Sequence, residues 1–344
     1  MSEQKLEDQL HSLIESYYVS PSDKCISDIR KVYSKFIQSE ECEEALMKNS
    51  FLSEKIEGDS PFRTVRGQMW SIFLKISNFE RQYHPIELTK SIDNRSLMCV
   101  TKRIKNEQER LFEKKSFQEE SVQKKVAEEN EYCQWLYLFV FYRWIYLKTE
   151  EESPDKCLEQ THYIFGLLFL RNFDLLTSFQ AYVHLTNGSL PYQFFTVKES
   201  RKLVEFVPII LDCIGEVELA NTLKDNRAYK TSAPVLCFCR VSSLNTQLKP
   251  LDYVEIIWDF LIIYGTQYIV FIEVAWILNQ KDAILKGTVN NTTDQISEDW
   301  DPVGILKETI NVFKKVHKYC LNEKADRKTV RLLKELCENS KILL

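Results

Sequence analysis

Cysteine and histidine are the residue types in this chain that could bind a metal ion or act as nucleophiles. The 344 residues include ten cysteines and five histidines. No Cys-x-x-Cys pair occurs and no histidine clusters with a cysteine, so the spacing argues against a zinc site. Cys237 and Cys239 lie in an apolar run and are interpreted as core residues. We therefore expect reduced thiols, no bound metal and no cofactor.

The glycine and serine motifs of self-contained enzymes are also missing from the sequence. There is no G-x-x-x-x-G-K-[S/T] phosphate loop, no G-x-G-x-x-G turn and no G-x-S-x-G elbow. A helical protein without such a constellation usually acts on another macromolecule. The remaining candidates for functional residues are therefore charged side chains that could reach a partner protein.

One arginine has an acidic neighbour at helical spacing, in the segment Ile104-Lys-Asn106-Glu107-Gln-Glu-Arg110. Residues three apart lie on the same face of a helix, so Glu107 can orient the guanidinium of Arg110. An exposed arginine in an ordinary charged helix is the simpler interpretation of the same spacing.

Composition favours an all-α protein and argues against nucleic acid as a partner. Glycine and proline number only 8 and 9, too few for a turn-rich β-sandwich or barrel. The formal net charge is -5 and the isoelectric point is about 5.8, whereas a nucleic-acid-binding domain usually has a basic excess.

Two apolar stretches, Trp135 to Leu147 and Val254 to Leu278, are predicted to be buried core helices. The first is too short to span a bilayer, and the second contains Glu255, Asp259 and Glu273, which are costly at bilayer depth. The N-terminus is acidic and amphipathic and does not resemble a signal peptide. We therefore expect a soluble, cytoplasmic protein.

The hydrophobic pattern predicts a succession of helices. Ser20-Pro-Ser-Asp reads as a helix N-cap, and a helix is predicted from Arg63 to Ser77. Residues 113–131 are charge-rich and are interpreted as a solvated helix or loop. Residues 286–302 are predicted to form a loop. Further helices are predicted at about 133–148, 157–186, 199–224 and 251–280, followed by a charged pair from about 303 to 341.

Two fragments resemble motifs of the TBC-domain (Rab-GAP-type) GTPase-activating proteins. Arg63-Thr-Val-Arg66-Gly67-Gln-Met-Trp70 is similar to the opening R-x-x-R-G-x-x-W of that family, in which these residues anchor the first helix. The segment that ends at Arg110 resembles I-x-x-D-x-x-R. The resemblance implies that Arg110 is the arginine finger, which neutralises charge on the transferring phosphoryl group of a partner GTPase. Here Glu107 replaces the family's aspartate and Leu111 its usual threonine.

A third fragment, Leu248 to Gly265, resembles the family helix that contains Trp-Asp and a trailing glycine. Trp258, Asp259 and Gly265 occupy those positions. The K-P-L-D lead and the I-K-N before the finger particularly resemble the mitotic-exit and septation checkpoint branch. Gly67, Gly166 and Gly265 all fall on glycine positions of the family, in a chain that has few glycines.

The family's glutamine finger, Y-x-Q-G-M-N, has two candidate positions. Tyr132-Cys-Gln134 retains the glutamine, but Trp135 follows where glycine is needed. Tyr163-Ile-Phe165-Gly166 retains the glycine and lies 95 residues before Trp258, close to the family interval. We place the motif at Tyr163, so that Phe165 replaces the glutamine. Phenylalanine has no donor or acceptor to orient water.

The resemblance implies an all-α TBC (Rab-GAP) helical domain at residues 58–320, with an N-terminal helical extension at 1–57 and a C-terminal helix at 321–344. It further implies a small Ras-like GTPase in its GTP-bound form as the partner, and a scaffold subunit of a two-part activator. Mitotic-exit control at the spindle pole is the expected setting. The alternative is a catalytically degenerate TBC scaffold that binds a GTPase or a checkpoint partner without accelerating hydrolysis. On either interpretation, Asn106, Glu107, Tyr163, Phe165 and Gly166 would face the GTPase.

Overall fold

A computed structural model of the chain describes eleven stretches of sequence. These are residues 5–39, 51–58, 60–76, 101–102, 104–105, 122–142, 164–186, 197–224, 232–289, 300–323 and 325–337. They are mostly helical, and the only β pairing among them is two isolated bridges, Lys55 with Thr64 and Phe62 with Phe173. The expected all-α class is therefore confirmed for the described part of the chain.

The α-helices follow one another in the order numbered here. They are α1 (Leu6–Val19), α2 (Asp23–Gln38), α3 (Val65–Leu74), α4 (Val122–Phe141), α5 (Phe165–Asn172), α6 (Leu175–His184), α7 (Val197–Val204), α8 (Phe206–Cys213), α9 (Val217–Lys224), α10 (Ala233–Ser242), α11 (Leu251–Tyr264), α12 (Ile269–Asn279), α13 (Lys281–Leu285), α14 (Pro302–Cys320) and α15 (Arg327–Cys337). Short 3₁₀ turns lie at Phe51–Ser53 and Thr266–Tyr268.

Side-chain caps fix where several of these helices begin. Ser22 accepts a hydrogen bond from the backbone N–H of Cys25, which confirms the predicted cap ahead of α2. Thr64 caps α3 through the N–H of Gly67, and Asp174 caps α6 through that of Thr177. Asp301 caps α14 through the backbone N–H of Gly304. Each cap satisfies one of the backbone donors that a helix start leaves open.

The helix predicted over 157–186 is wrong as a single element, because the chain breaks between α5 and α6. Phe173 is extended, with φ of -136°, and Asp174 starts a new helix as its N-cap. The run 251–280 also divides, because Gly265 has a φ of +125° that ends α11. Glycine adopts a positive φ of this kind without strain, whereas other residues do not. The run 199–224 divides into parts of α7, α8 and α9, with Gly215 at φ +91° before α9.

Helices α11 and α12 form the centre of the hydrophobic core. Every residue of α11 from Val254 to Tyr264 is buried, as is every residue of α12 from Ile269 to Ile277. This confirms that the second apolar stretch is core. Within the described part of the chain, no helix is both long and apolar enough to cross a bilayer.

The first two helices pack on that core. The hydroxyl of Tyr18 donates to the carbonyl of Gln68 over 2.9 Å. The Arg30 Nε donates to the carbonyl of Ile263 over 3.0 Å, and the Tyr264 hydroxyl donates to the carbonyl of Arg30 over 2.8 Å. Buried apolar residues from Leu10 to Leu336 belong to one hydrophobic cluster.

Candidate functional site

Arg66 and Asp259, from two separate family-like fragments, form an ion pair at the centre of the molecule. The Arg66 Nε donates to Asp259 Oδ1 at 2.9 Å and to Oδ2 at 3.1 Å. The Trp70 Nε1–H donates to the same Oδ1 at 2.7 Å. The side chains of Arg66 and Asp259 are 3% and 0% exposed. Residues of α3 and α11 that the sequence singled out separately therefore meet in one buried contact.

Glu255 extends this ion pair toward α5. Its Oε2 accepts from the NH1 of Arg66 at 3.1 Å, and its Oε1 accepts from Asn172 Nδ2 at 2.9 Å and from Arg171 Nε at 3.1 Å. Arg171 also pairs with Asp252, and both of those side chains reach solvent. Arg66, Trp70, Asn172, Arg171, Glu255 and Asp259 are named here the buried charge network.

The environment keeps Arg66 charged and raises the pKa of Asp259 above its ordinary value. Burial by itself lowers the pKa of an arginine, but the carboxylates of Asp259 and Glu255 outweigh it, so the pKa of Arg66 is raised. Burial also raises the pKa of Asp259 to about 6, although Arg66 and Trp70 both act to lower it. The ion pair joins α3 to α11 and Glu255 joins both to α5, in a site where an unpaired buried charge would be costly.

Aromatic rings pack around Trp258, which lies beside Asp259 of the buried charge network. The Trp258 ring lies 6.0 Å from that of Trp70, 5.5 Å from that of Phe169 and 4.9 Å from that of Phe165, between ring centroids. The Trp258 Nε1–H donates to the carbonyl of Leu244 at 2.8 Å, so its polar edge is satisfied. Trp258 therefore packs in the aromatic core, whereas its neighbour Asp259 supplies the charge that pairs with Arg66.

Gly67 lies against the backbone of α5. An added Cβ would come within 2.2 Å of the carbonyl oxygen of Asn172. The same oxygen accepts from the backbone N–H of Arg63 at 2.9 Å, and the Thr64 hydroxyl donates to Asn172 Oδ1 at 2.6 Å. The close approach of α3 and α5 therefore depends on glycine at this position.

We expect Gly67→Ala to lower the free energy of unfolding by about 1–3 kcal/mol, because the methyl group must push backbone away from backbone. Urea denaturation followed by circular dichroism measures the change. Gln68→Ala, at the next position of the same helix, is the matched control and should cost less than about 0.5 kcal/mol. Equal losses at the two positions would contradict the packing argument.

Phe165 and Gly166 lie inside the core. Phe165 is 0% exposed and packs on Trp258, and a Cβ on Gly166 would fall 2.0 Å from the indole nitrogen of Trp135. Neither of these two residues therefore reaches solvent in the structure. Gln134, the other candidate for the glutamine, is exposed on α4, next to the buried Trp135.

The predicted arginine finger lies outside the residues that the structure describes. The same is true of Asn106, Glu107 and Tyr163. Just ahead of them, Ile104 is buried and Lys105 is exposed. Residues 104–105 are helical.

Sequence reasoning missed Glu255, Asn172 and Arg171 as members of the buried charge network. Glu255 had one signal, since it lies one helical turn before Asp259 and so on the same face of α11. Asn172 and Arg171 had none, because their importance comes from contacts with residues that are distant in the sequence. Among the described residues, no group of histidine, cysteine, aspartate and glutamate side chains could hold a metal ion.

The buried charge network can hold α3, α5 and α11 in fixed positions, because its groups pair with one another and only Arg171 among them reaches solvent. Its role is therefore that of a structural framework. The chain matches no model of a known protein family, and no curated protein is similar to it.

Proposed function

We propose that the chain is a TBC-type activator of a small Ras-like GTPase, with Arg110 as the arginine finger. The observation that supports this most is the buried contact of Arg66 and Trp70 with Asp259. The two fragments that resemble the family are separated by 193 positions between Arg66 and Asp259, yet their polar residues bond to each other. A shared fold accounts for that contact, whereas two unrelated motif matches do not require it.

In the proposed mechanism, the chain adds one positive charge to the active site of its partner. The planar guanidinium of Arg110 would stabilise the charge that develops on the transferring phosphoryl group. Glu107, one turn earlier on the same helical face, would orient it. The GTPase would supply its own residue to orient the attacking water, because Phe165 has no polar group with which to do so.

A second candidate function is binding of a GTPase without acceleration of hydrolysis. The position of Phe165 favours it, because a buried phenylalanine replaces the polar finger of the family. The chain would then be an assembly subunit of a two-part activator. Both candidates include a scaffold partner, and the family branch suggests the spindle pole and mitotic-exit control as the setting.

Single-turnover GTP hydrolysis separates the two candidates. A Ras-like GTPase of the mitotic-exit type is loaded with GTP and mixed with the chain, with and without the scaffold of the same pathway. Activation predicts a faster single exponential that saturates with the concentration of the chain. Stable binding with an unchanged rate would favour the assembly function. Absence of both binding and acceleration, with the scaffold present, would refute the proposal.

A further inference from the structure

The C-terminal helices carry a charge opposite to that of the rest of the chain. Residues 311–337 contain eight lysines or arginines and three aspartates or glutamates, a formal charge of +5. Because the whole chain has a net charge of -5, the remaining residues together carry -10. The positive charge is therefore concentrated in α14 and α15.

On α15 the basic residues occupy one exposed face. Arg327, Lys328, Arg331 and Lys334 are all exposed. Leu333 and Leu336, on the opposite side, are 0% and 2% exposed and belong to the core. The spacing i, i+1, i+4 and i+7 places the four cations along one side of the helix.

The last turns of α14 repeat the arrangement. Lys314, Lys315 and Lys318 are exposed, whereas Phe313 and Val316 are buried. The short turn between the two helices contains Leu321, which is 69% exposed and is one of three large hydrophobic residues exposed in the described part of the chain. The seven exposed cations of α14 and α15, together with Leu321, are named here the basic hairpin.

The basic hairpin is a poor arrangement for stability. Like charges at i and i+4, such as Arg327 and Arg331, weaken a helix by a few tenths of a kcal/mol per pair. Cations in a first turn also oppose the helix dipole, and the first turn of α15 has two of them, which the N-cap carboxylate of Asp326 offsets only in part. Leu321 leaves most of its apolar side chain in contact with water. These features together favour a binding role for this surface.

We propose that the basic hairpin binds an acidic helical segment of a partner protein, with Leu321 packing on an apolar residue at one end of that segment. Carboxylates spaced by three or four residues on such a helix would match the row Arg327, Arg331 and Lys334. Charge complementarity of this kind speeds association and fixes the register of the two helices. The inference stands whether or not the chain acts on a GTPase.

Two other polyanions fit the basic hairpin less well. An amphipathic helix binds a bilayer through its apolar face, but that face of α15 is buried against the protein. Glu323 and Asp326 are exposed beside Leu321, where an anionic membrane would repel them. Nucleic acid is a longer polyanion than a single helical segment, so it would extend past the basic hairpin and be repelled by the negative charge of the remaining chain. A partner protein can place its own polar or basic groups opposite the two acidic residues.

The probe is a fluorescein-labelled helical peptide with glutamates at i, i+4 and i+7 and a leucine at one end, and the readout is anisotropy with the full chain. We expect saturable binding that weakens as salt is added. Changing Arg327, Lys328, Arg331 and Lys334 together to Glu should weaken the binding by about tenfold or more. The matched control changes four exposed and dispersed lysines to Glu, and it should stay within about threefold of the unmodified chain. Those four are Lys5, Lys24, Lys202 and Lys286.

Two further measurements keep the inference falsifiable. Changing the same four α15 residues to Gln preserves helix propensity, so this variant decides the result if the Glu variant fails to fold. Leu321→Ser should weaken peptide binding without changing its salt dependence. The proposal is overturned by absence of peptide binding, by equal losses in the hairpin and control variants, or by binding only to vesicles of phosphatidylserine and phosphatidylcholine in equal parts.

Discussion

Replacing Arg110 with Ala is expected to abolish the stimulated hydrolysis of GTP, lowering the single-turnover rate by roughly 10³–10⁵-fold toward that of the GTPase alone. The reason is that a finger arginine supplies most of the charge stabilisation that a GTPase lacks by itself. Arg110→Lys keeps the charge but lacks the planar fork of donors, and it should recover only a small part of the rate. Single-turnover hydrolysis at saturating concentrations of the chain measures both.

Two control variants make the Arg110 result specific. Lys105→Ala removes a nearby positive charge that is exposed in the structure and should leave the stimulated rate within about threefold. Gln134→Ala should also have little effect if the GTPase orients its own water. A loss at Gln134 as large as that at Arg110 would assign the glutamine finger to α4 instead. Stimulation that survives Arg110→Ala would contradict the finger assignment.

Asp259→Ala should lower the free energy of unfolding by about 3–5 kcal/mol, because it leaves Arg66 buried with part of its charge uncompensated. It also removes the acceptor for the Trp70 indole N–H. Asp259→Asn keeps an acceptor without the charge and should lie between Ala and the native residue. Chemical denaturation measures all three proteins.

The control for Asp259 is Asp252→Ala on the same helix. Asp252 also pairs with an arginine, but its side chain is 71% exposed, so the loss should be below about 1 kcal/mol. Combining Arg66→Met with Asp259→Leu should cost less than the sum of the two single changes, since neither charge is then left alone. Strict additivity of the two changes would argue against direct coupling.

The helical class and the main core elements could be predicted from the sequence, because they follow from periodic apolar residues and scarce breakers. Arg66, Trp70 and Asp259 could also be chosen as structural residues, since each belongs to a recognisable motif. The break at Phe173 was missed although Asp174 is a good N-cap. The long apolar run by itself predicts one continuous helix, but in the structure the chain begins a new helix at the N-cap Asp174.

The remaining members of the buried charge network could not be predicted, because they are defined by proximity in space. Asn172 matters because its carbonyl oxygen lies beside Gly67 and its side chain bonds to Thr64 and Glu255. No spacing along the chain reveals such a three-way contact. Phe165 shows the converse limitation. Its place in a motif predicted a side chain that faces a partner, whereas in the structure the ring is buried and packs on Trp258.

The ion pair of Arg66 with Asp259 also bears on the order in which the protein can fold during synthesis. The two residues are 193 positions apart, and a ribosome adding about 5–20 residues per second needs roughly 10–40 s to go from one to the other. Until α11 has left the ribosome, Arg66 and the Trp70 indole lack the Asp259 carboxylate to which both bond in the folded protein. The core therefore closes late in translation, and Arg66 stays hydrated without its native partner during that interval.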